Sequence, residues 1–241
     1  MRGQRDQADA IGSVAALDDP VRRRLFTFVR SARGPVTREE AAEQVGISRK
    51  LAAFHLDKLV TAGLLEAGLD ESRPRRVGRA PKAYQPTADA LLVSVPRRSY
   101  ETLAAILLDA ARMAEEAPAQ PQQEARWQAA HQAGRALGAA RRREAAATGA
   151  AGDAPLAKVE TVLETEGFEP FRAEPGRVRL QNCPFHPLAA HDPEIVCGIN
   201  HAYLCGVLAG MRLTSLEAEL APEPGQCCVE IARARRRRPS S

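Results

Sequence analysis

The sequence predicts a mainly α chain that ends in a small α+β unit, and three observations predict it. Residues 37–61 carry two capped helices separated by a glycine turn. Residues 101–147 hold long helical stretches with no strand signal between them. Beyond residue 153 helices alternate with short strands, and the five cysteines of the 241 residues all lie past position 180. The expected organisation is a first domain over 1–95, a helical linker or dimerisation region over 96–152, an α+β domain over 153–232 and a basic tail over 233–241.

The first domain reads element by element. Asp19-Pro20 is an N-cap followed by proline at the first helical position, opening a helix over VRRRLFTFVR. Thr37 and Glu40 have the spacing of a capping box, and Gly46 suits the left-handed residue that stops a helix. Ser48 then caps a second helix. On it Leu51, Phe54 or His55, Leu56 and Leu59 recur at helical spacing and form the expected core face. Arg49, Lys50 and Lys58 fall off that face, free for a polyanion. A helix presented this way fits the major groove, its first turn against base edges and phosphates. Ser48, Arg49, Lys50, His55 and Lys58 are therefore candidate DNA contacts. Leu64, Leu65 and Leu69 suggest a strand. After it, Arg73, Arg75, Arg76, Arg79 and Lys82 cluster around Gly78 as a basic hairpin. A recognition helix followed by a basic hairpin has the order of a winged helix-turn-helix. Over LDDPVRRRL, ISRKLAAFHLDKLVTAGLL and RRVGRAPKAY the chain resembles the ArsR-like winged-helix regulators of bacteria. That resemblance implies a dimeric transcriptional regulator on a double-stranded DNA operator.

Charge supports a polyanionic partner through its distribution more than its sum. The net charge is only +4, but cations concentrate in the hairpin and in the tail RARRRR, and all but four of the 34 are arginine. Arginine suits bidentate contacts to phosphate and guanine. The tail reads as a solvated terminus or a phosphate-binding arm. The N-terminus lacks the apolar core of a signal peptide, and no run approaches ~18 apolar residues, so no membrane span and a cytoplasmic location are expected. There the cysteines are expected as thiols, metal ligands or redox groups.

ETLAAILLDAARMAEEA and PQQEARWQAAHQAGRALGAARRREAAA read as two helices that would dimerise a DNA-binding protein, with Trp127 and His131 as packing residues. Further on, PLAKVETVLETEGF reads as a helix, EPFRAEPGRVRLQN as a hairpin turning at Glu174-Pro175-Gly176, and EIVCGINHAYLCGVLAGM as a helix opened by Asp192-Pro193. SLEAEL and CCVEIA read as strands.

Any chemistry belongs to this last part. Cys183 ends a strand, and Cys197 sits early in a helix, where the helix dipole favours a thiolate. Cys197 and Cys205 stand eight residues apart on one helix, roughly 12 Å. Two thiolates on one zinc lie within about 4.6 Å, so Cys205 is expected to be a packing residue. Cys227 and Cys228 are neighbours in a strand and face opposite sides; alternation with Val229 and Ile231 points Cys227 inward. Cys183, Cys197 and Cys227 are thus the expected metal ligands, with His186 and Cys228 as possible further ones. Over NCPF, Cys197 and the Cys-x-hydrophobic-x-Ile ending, this segment is similar to the sensor domain of the Suf-operon repressors. That resemblance implies an iron–sulfur cluster, with zinc or no metal as alternatives. Where that family carries a further cysteine this chain has Leu213 or Thr214, and His186 could substitute. An organic effector in a metal-free domain is the competing reading. No nucleophile elbow, phosphate loop or paired-carboxylate motif points to an enzyme.

Overall fold

The computed structural model describes residues 7–69, 81–88, 92–148 and 154–234. Their contacts divide the chain into two units, one up to Val93 and one from Ser94.

The first unit comprises α1 (Gln7–Ala16), α2 (Pro20–Ser31), β1 (Val36–Thr37), α3 (Arg38–Val45), α4 (Arg49–Thr61), β2 (Leu65–Leu69) and β3 (Lys82–Pro86). The helix ends follow the sequence chemistry. Asp19 accepts from the Val21 and Arg22 amides at 2.8 and 2.9 Å. Thr37 Oγ1 accepts from the Glu40 amide while Glu40 Oε2 accepts from the Thr37 amide, a closed capping box. Gly46 ends α3 at φ 72°, a left-handed conformation that costs glycine little. Ser48 Oγ accepts from the Leu51 amide at 3.2 Å and starts α4. The sheet runs β1-β3-β2, all antiparallel, with Leu69 opposite Lys82. Leu25, Val29, Leu56, Leu59, Leu65 and Tyr84 form its core. Helix α1 was not foreseen; Ser13 Oγ donates to the Ala62 carbonyl at 2.7 Å and ties it to the end of α4.

The second unit comprises α5 (Tyr100–Glu116), α6 (Gln122–Thr148), α7 (Pro155–Glu166), β4 (Pro170–Glu174), β5 (Arg177–Leu180), the short α8 (Leu188–His191), α9 (Pro193–Met211), β6 (Leu216–Leu220) and β7 (Val229–Arg233). Its antiparallel sheet has the order β4-β5-β7-β6. The separate linker expected over 96–152 is instead part of this unit. Leu103, Ile106 and Ala110 of α5 and Ala129 and Ala130 of α6 share one core with Phe168, Phe185, Ile199, Leu204 and Ile231. The physical reason is the contact between α6 and α9. A Cβ on Gly134 would lie 2.0 Å from the Tyr203 carbonyl oxygen, on Gly138 2.2 Å from that of Val207, and on Gly206 2.2 Å from that of His131. Backbones this close exclude any side chain at the crossing, so the two helices form one rigid pair.

Helix α9 departs from a second expectation. By length and composition it is apolar enough to cross a membrane, yet 56% of the relevant window is buried within the unit. Its apolar surface is used for packing.

The seam is testable. Gly206→Ala is expected to destabilise the second unit by about 1–3 kcal/mol through overpacking. Gly12→Ala in α1, where a Cβ meets nothing within 4 Å, is expected to be neutral or to stabilise by up to ~1 kcal/mol. Urea denaturation of both variants makes the comparison.

Candidate functional site

Helix α4 begins at Arg49, and each residue advances about 100°. The buried set is Ala52, His55, Leu56 and Leu59. Leu51 and Phe54 are 40% and 54% exposed, contrary to the expected core face. Apolar residues cover two adjoining faces of this helix, so spacing alone could not decide which one packs. His55 is buried, and its Nδ1 has no hydrogen-bond partner among the described residues. It is therefore a core residue rather than a surface contact, and Phe54 takes the outer position. Ser48, Arg49, Lys50, Leu51, Phe54 and Lys58 share the exposed surface, with Lys58 Nζ 5.7 Å from the centre of the Phe54 ring. Arg49 and Lys50 make no ion pair with a described residue. The surface thus offers cations beside an exposed apolar ring, which suits phosphates and a thymine methyl together.

Lys82 was expected as a free wing cation. Its Nζ donates to Asp57 Oδ1 at 2.7 Å and lies 5.1 Å from the Tyr84 ring centre, and Tyr84 Oη donates to the same carboxylate at 3.0 Å. Burial pushes the Asp57 carboxyl up, but the bonds from Lys82 and Tyr84 outweigh it and leave it below its usual value. Lys82 fastens β3 to α4. Arg73, Arg75, Arg76 and Arg79 lie outside the described residues, as does the tail beyond Ala234.

Residues 17–67 match the family model of a helix-turn-helix domain of the ArsR-like kind. The first unit carries a helix-turn-helix DNA-binding domain. Such a domain suggests a transcriptional regulator. No curated protein and no solved structure matches the chain.

In the second unit four cysteines from three segments meet. Cys183 follows β5, Cys197 is the fifth residue of α9, and Cys227 and Cys228 immediately precede β7. The Cys183 thiol interacts with that of Cys227, Cys227 with Cys228 and Cys228 with Cys197. The protons follow this order. Hydrogen bonding to Cys227 and burial push the Cys183 thiol far above its ordinary value. The bond from Cys183 favours the Cys227 thiolate, but its own bond to Cys228 and burial prevail and push it up to about 12. The interaction with Cys197, with burial, pushes Cys228 up to about 12. The same contact lowers Cys197.

The preference for Cys227 over Cys228 rested on strand alternation. The pair lies outside β7, so alternation does not apply, and both are buried. His186 is exposed; its backbone carbonyl accepts from Tyr100 Oη at 2.9 Å, and its ring takes no part in the thiol chain. Cys205 is half-buried, apart from the four, with Sγ 3.7 Å from His201 Nε2. The thiols form a chain rather than a closed cage: among the described residues no three His, Cys, Asp or Glu side chains stand ready around a metal ion.

Asn200, missed in the sequence, completes the site. It is fully buried on α9, its Nδ2 donates to Cys227 Sγ at 3.2 Å, and its Oδ1 has no partner among the described residues. An orphaned buried carbonyl costs about 1–3 kcal/mol. The start of α5 holds the other flank. Arg98 Nη1 donates to the Cys183 carbonyl at 2.7 Å and to Asn182 Oδ1 at 2.8 Å, and the Ser99 amide donates to the Pro184 carbonyl at 3.0 Å.

The raised thiols set a pH dependence for metal-free protein. In the unfolded chain they titrate near their ordinary value of 9.0, whereas folded Cys227 and Cys228 hold their protons to about 12. The folded state binds more protons between these limits, so the stability they confer is complete below pH 9 and is lost as pH rises toward 12. The melting temperature of metal-free protein is expected to fall between pH 8.5 and 10.5. Replacing both cysteines by alanine should flatten that slope.

Proposed function

We propose that this protein is a sequence-specific transcriptional regulator, acting as a dimeric repressor, whose second unit senses iron–sulfur, redox or metal status through Cys183, Cys197, Cys227 and Cys228. The observation that carries the reading is the meeting of these four thiols in a chain whose first unit is a DNA-binding domain. An all-thiol donor set fits a soft metal centre, an iron–sulfur cluster ahead of zinc. The Asn200 amide fits the same use, since an N–H directed at a ligating sulfur orients it and tunes the centre. A bound cluster would supply a one-electron redox couple. The protein's own residues do the rest. Cys197 presents the most acidic thiol; the other three must release their protons on loading, so loading should strengthen as pH rises. Asn200 fixes Cys227, and Arg98 and Ser99 hold the Cys183 segment against the start of α5.

That clasp offers a route to the DNA. Residues 94–99 open the second unit and follow the DNA-binding unit along the chain. A shift of the Cys183 segment acts on Arg98 and Ser99, and through them on α5, whose Leu107 and Leu108 are exposed as a dimerisation face would require.

Two experiments test the reading. In a fluorescence titration with operator DNA, Arg49→Ala is expected to cost about 1–3 kcal/mol if Arg49 reads a base, and Phe54→Ala to weaken binding too. If neither changes affinity, the proposed face of α4 is wrong. The second measures iron, sulfide and zinc in anaerobically prepared protein. Serine at 183, 197, 227 or 228 should empty the site, and serine at 205 should not. Asn200→Leu should keep or raise metal-free stability yet weaken loading by roughly 10–100-fold. Metal-free wild type, or loss of metal on changing Cys205 alone, contradicts the sensing role.

A further inference from the structure

A second concavity lies in the same unit, away from the thiol chain. It is a groove of about 900 Å³ between α6, α9 and the outer edge of β6. Trp127, His131 and Arg135 of α6 form one wall, Gly198, Ala202 and Cys205 of α9 the floor, and Leu220 of β6 the far side. Trp127 was expected to be a packing residue. It is instead 44% exposed, and its indole lies so close over α9 that a Cβ at Gly198 would stand 2.8 Å from Nε1. The absence of a side chain at 198 thus lets the ring line the groove.

The groove is partly furnished for a ligand. Among the described residues the Trp127 N–H and the Arg135 guanidinium have no hydrogen-bond or ion-pair partner. Both are donors, and they stand eight residues apart on one helix, roughly 12 Å. Between them on α6 lie Gln128, His131 and Gln132, and the floor opposite, Gly198, Ala202 and Cys205, is small. Arg135 stands at one end, while Glu124, the lining's carboxylate, lies beyond Trp127 at the other. An acidic group is therefore favoured at the Arg135 end alone.

The dimensions select the occupant. A volume of this size lies within the range of small-molecule sites, about 300–1,000 Å³. The eleven lining residues fall short of the roughly 20–30 that each partner of a stable protein interface contributes. Strand addition by a second copy is also obstructed. The Ala221 amide donates to the Cys228 carbonyl, so even-numbered β6 residues direct their backbone groups outward. His201 Nε2 already donates to the Ala218 carbonyl on that edge at 3.0 Å.

We propose that this groove binds a small organic anion, its flat apolar body against Trp127 and the Gly198–Ala202 floor and its acid group on Arg135. Such a molecule is a second input, independent of the cysteine reading. The ligand lies along the α6–α9 pair and contacts Gly198, the neighbour of Cys197.

The chain's single tryptophan provides the readout. Full-length protein is titrated with 8-anilinonaphthalene-1-sulfonate, an aromatic sulfonate that accepts energy from indole, and with uncharged N-phenyl-1-naphthylamine. Saturable energy transfer at one sulfonate per chain, displaced by 2-naphthoate, is the expected result. Arg135→Gln should weaken the sulfonate roughly tenfold or more, the scale of one charge-assisted hydrogen bond, and leave the uncharged probe unchanged. Ala202→Phe should exclude both probes while circular dichroism stays native. Three results overturn the proposal: no saturable transfer, equal loss of both probes in Arg135→Gln, or a dimer that shields Trp127 without ligand in sedimentation and quenching. None depends on metal content, so failure here leaves the cysteine reading standing, and the reverse.

Discussion

The close approach of α6 and α9 is the constraint on which the second unit depends. Glycines at 134, 138, 206 and 210 remove the side chains that would hold the two backbones apart. The resulting contact seats α9, and α9 in turn carries Cys197, Asn200 and the floor of the groove. Large side chains at the crossing would displace all three together. A stretch that could have remained a solvent-exposed spacer is thereby drawn into the core with α5. This is also why a helix apolar enough for a membrane is at home in a folded interior.

Within that frame the thiol chain is a compromise between burial and chemistry. Cysteine is a tolerable core residue, and protonated thiols can lie against one another at little cost. The arrangement leaves Cys197 the most acidic of the four and Asn200 with an unanswered carbonyl. A purely structural core would gain by replacing that asparagine with an apolar residue of similar volume. Its placement beside Cys227 is the feature that packing alone does not explain. Arg98 then links the backbone of Cys183 to the residues that join the two units.

Much of this was legible in the sequence where the chemistry is local. The Asp19-Pro20 start, the Thr37–Glu40 box, Gly46 and Ser48 each act within four residues, and the helix ends they imply are those observed. The alternation of helix and hairpin beyond 153 was legible for the same reason. What required the tertiary structure was the choice between neighbouring possibilities. Leu51 and Phe54 form as good an apolar row as Ala52, His55 and Leu56, and only the packing of α2 and α3 decides between them. Cys228 was set aside by a strand rule that fails because the pair precedes the strand. The glycines of α6 and α9 were visible as residues, but nothing local says that they face one another. Asn200 carried no signal, because its significance lies in a sulfur 27 positions away.

The thiol site and the operator are joined, in this view, through the Arg98 clasp. Operator affinity should therefore be measured for wild type and Arg98→Ala, each reconstituted under anaerobic conditions and each stripped by chelator. Loaded and stripped wild type should differ by about 5–150-fold, the usual span of coupling between two sites. The Arg98→Ala protein should load and bind DNA but lose most of that difference. An undiminished difference in the variant, or no difference in wild type, would contradict the coupling.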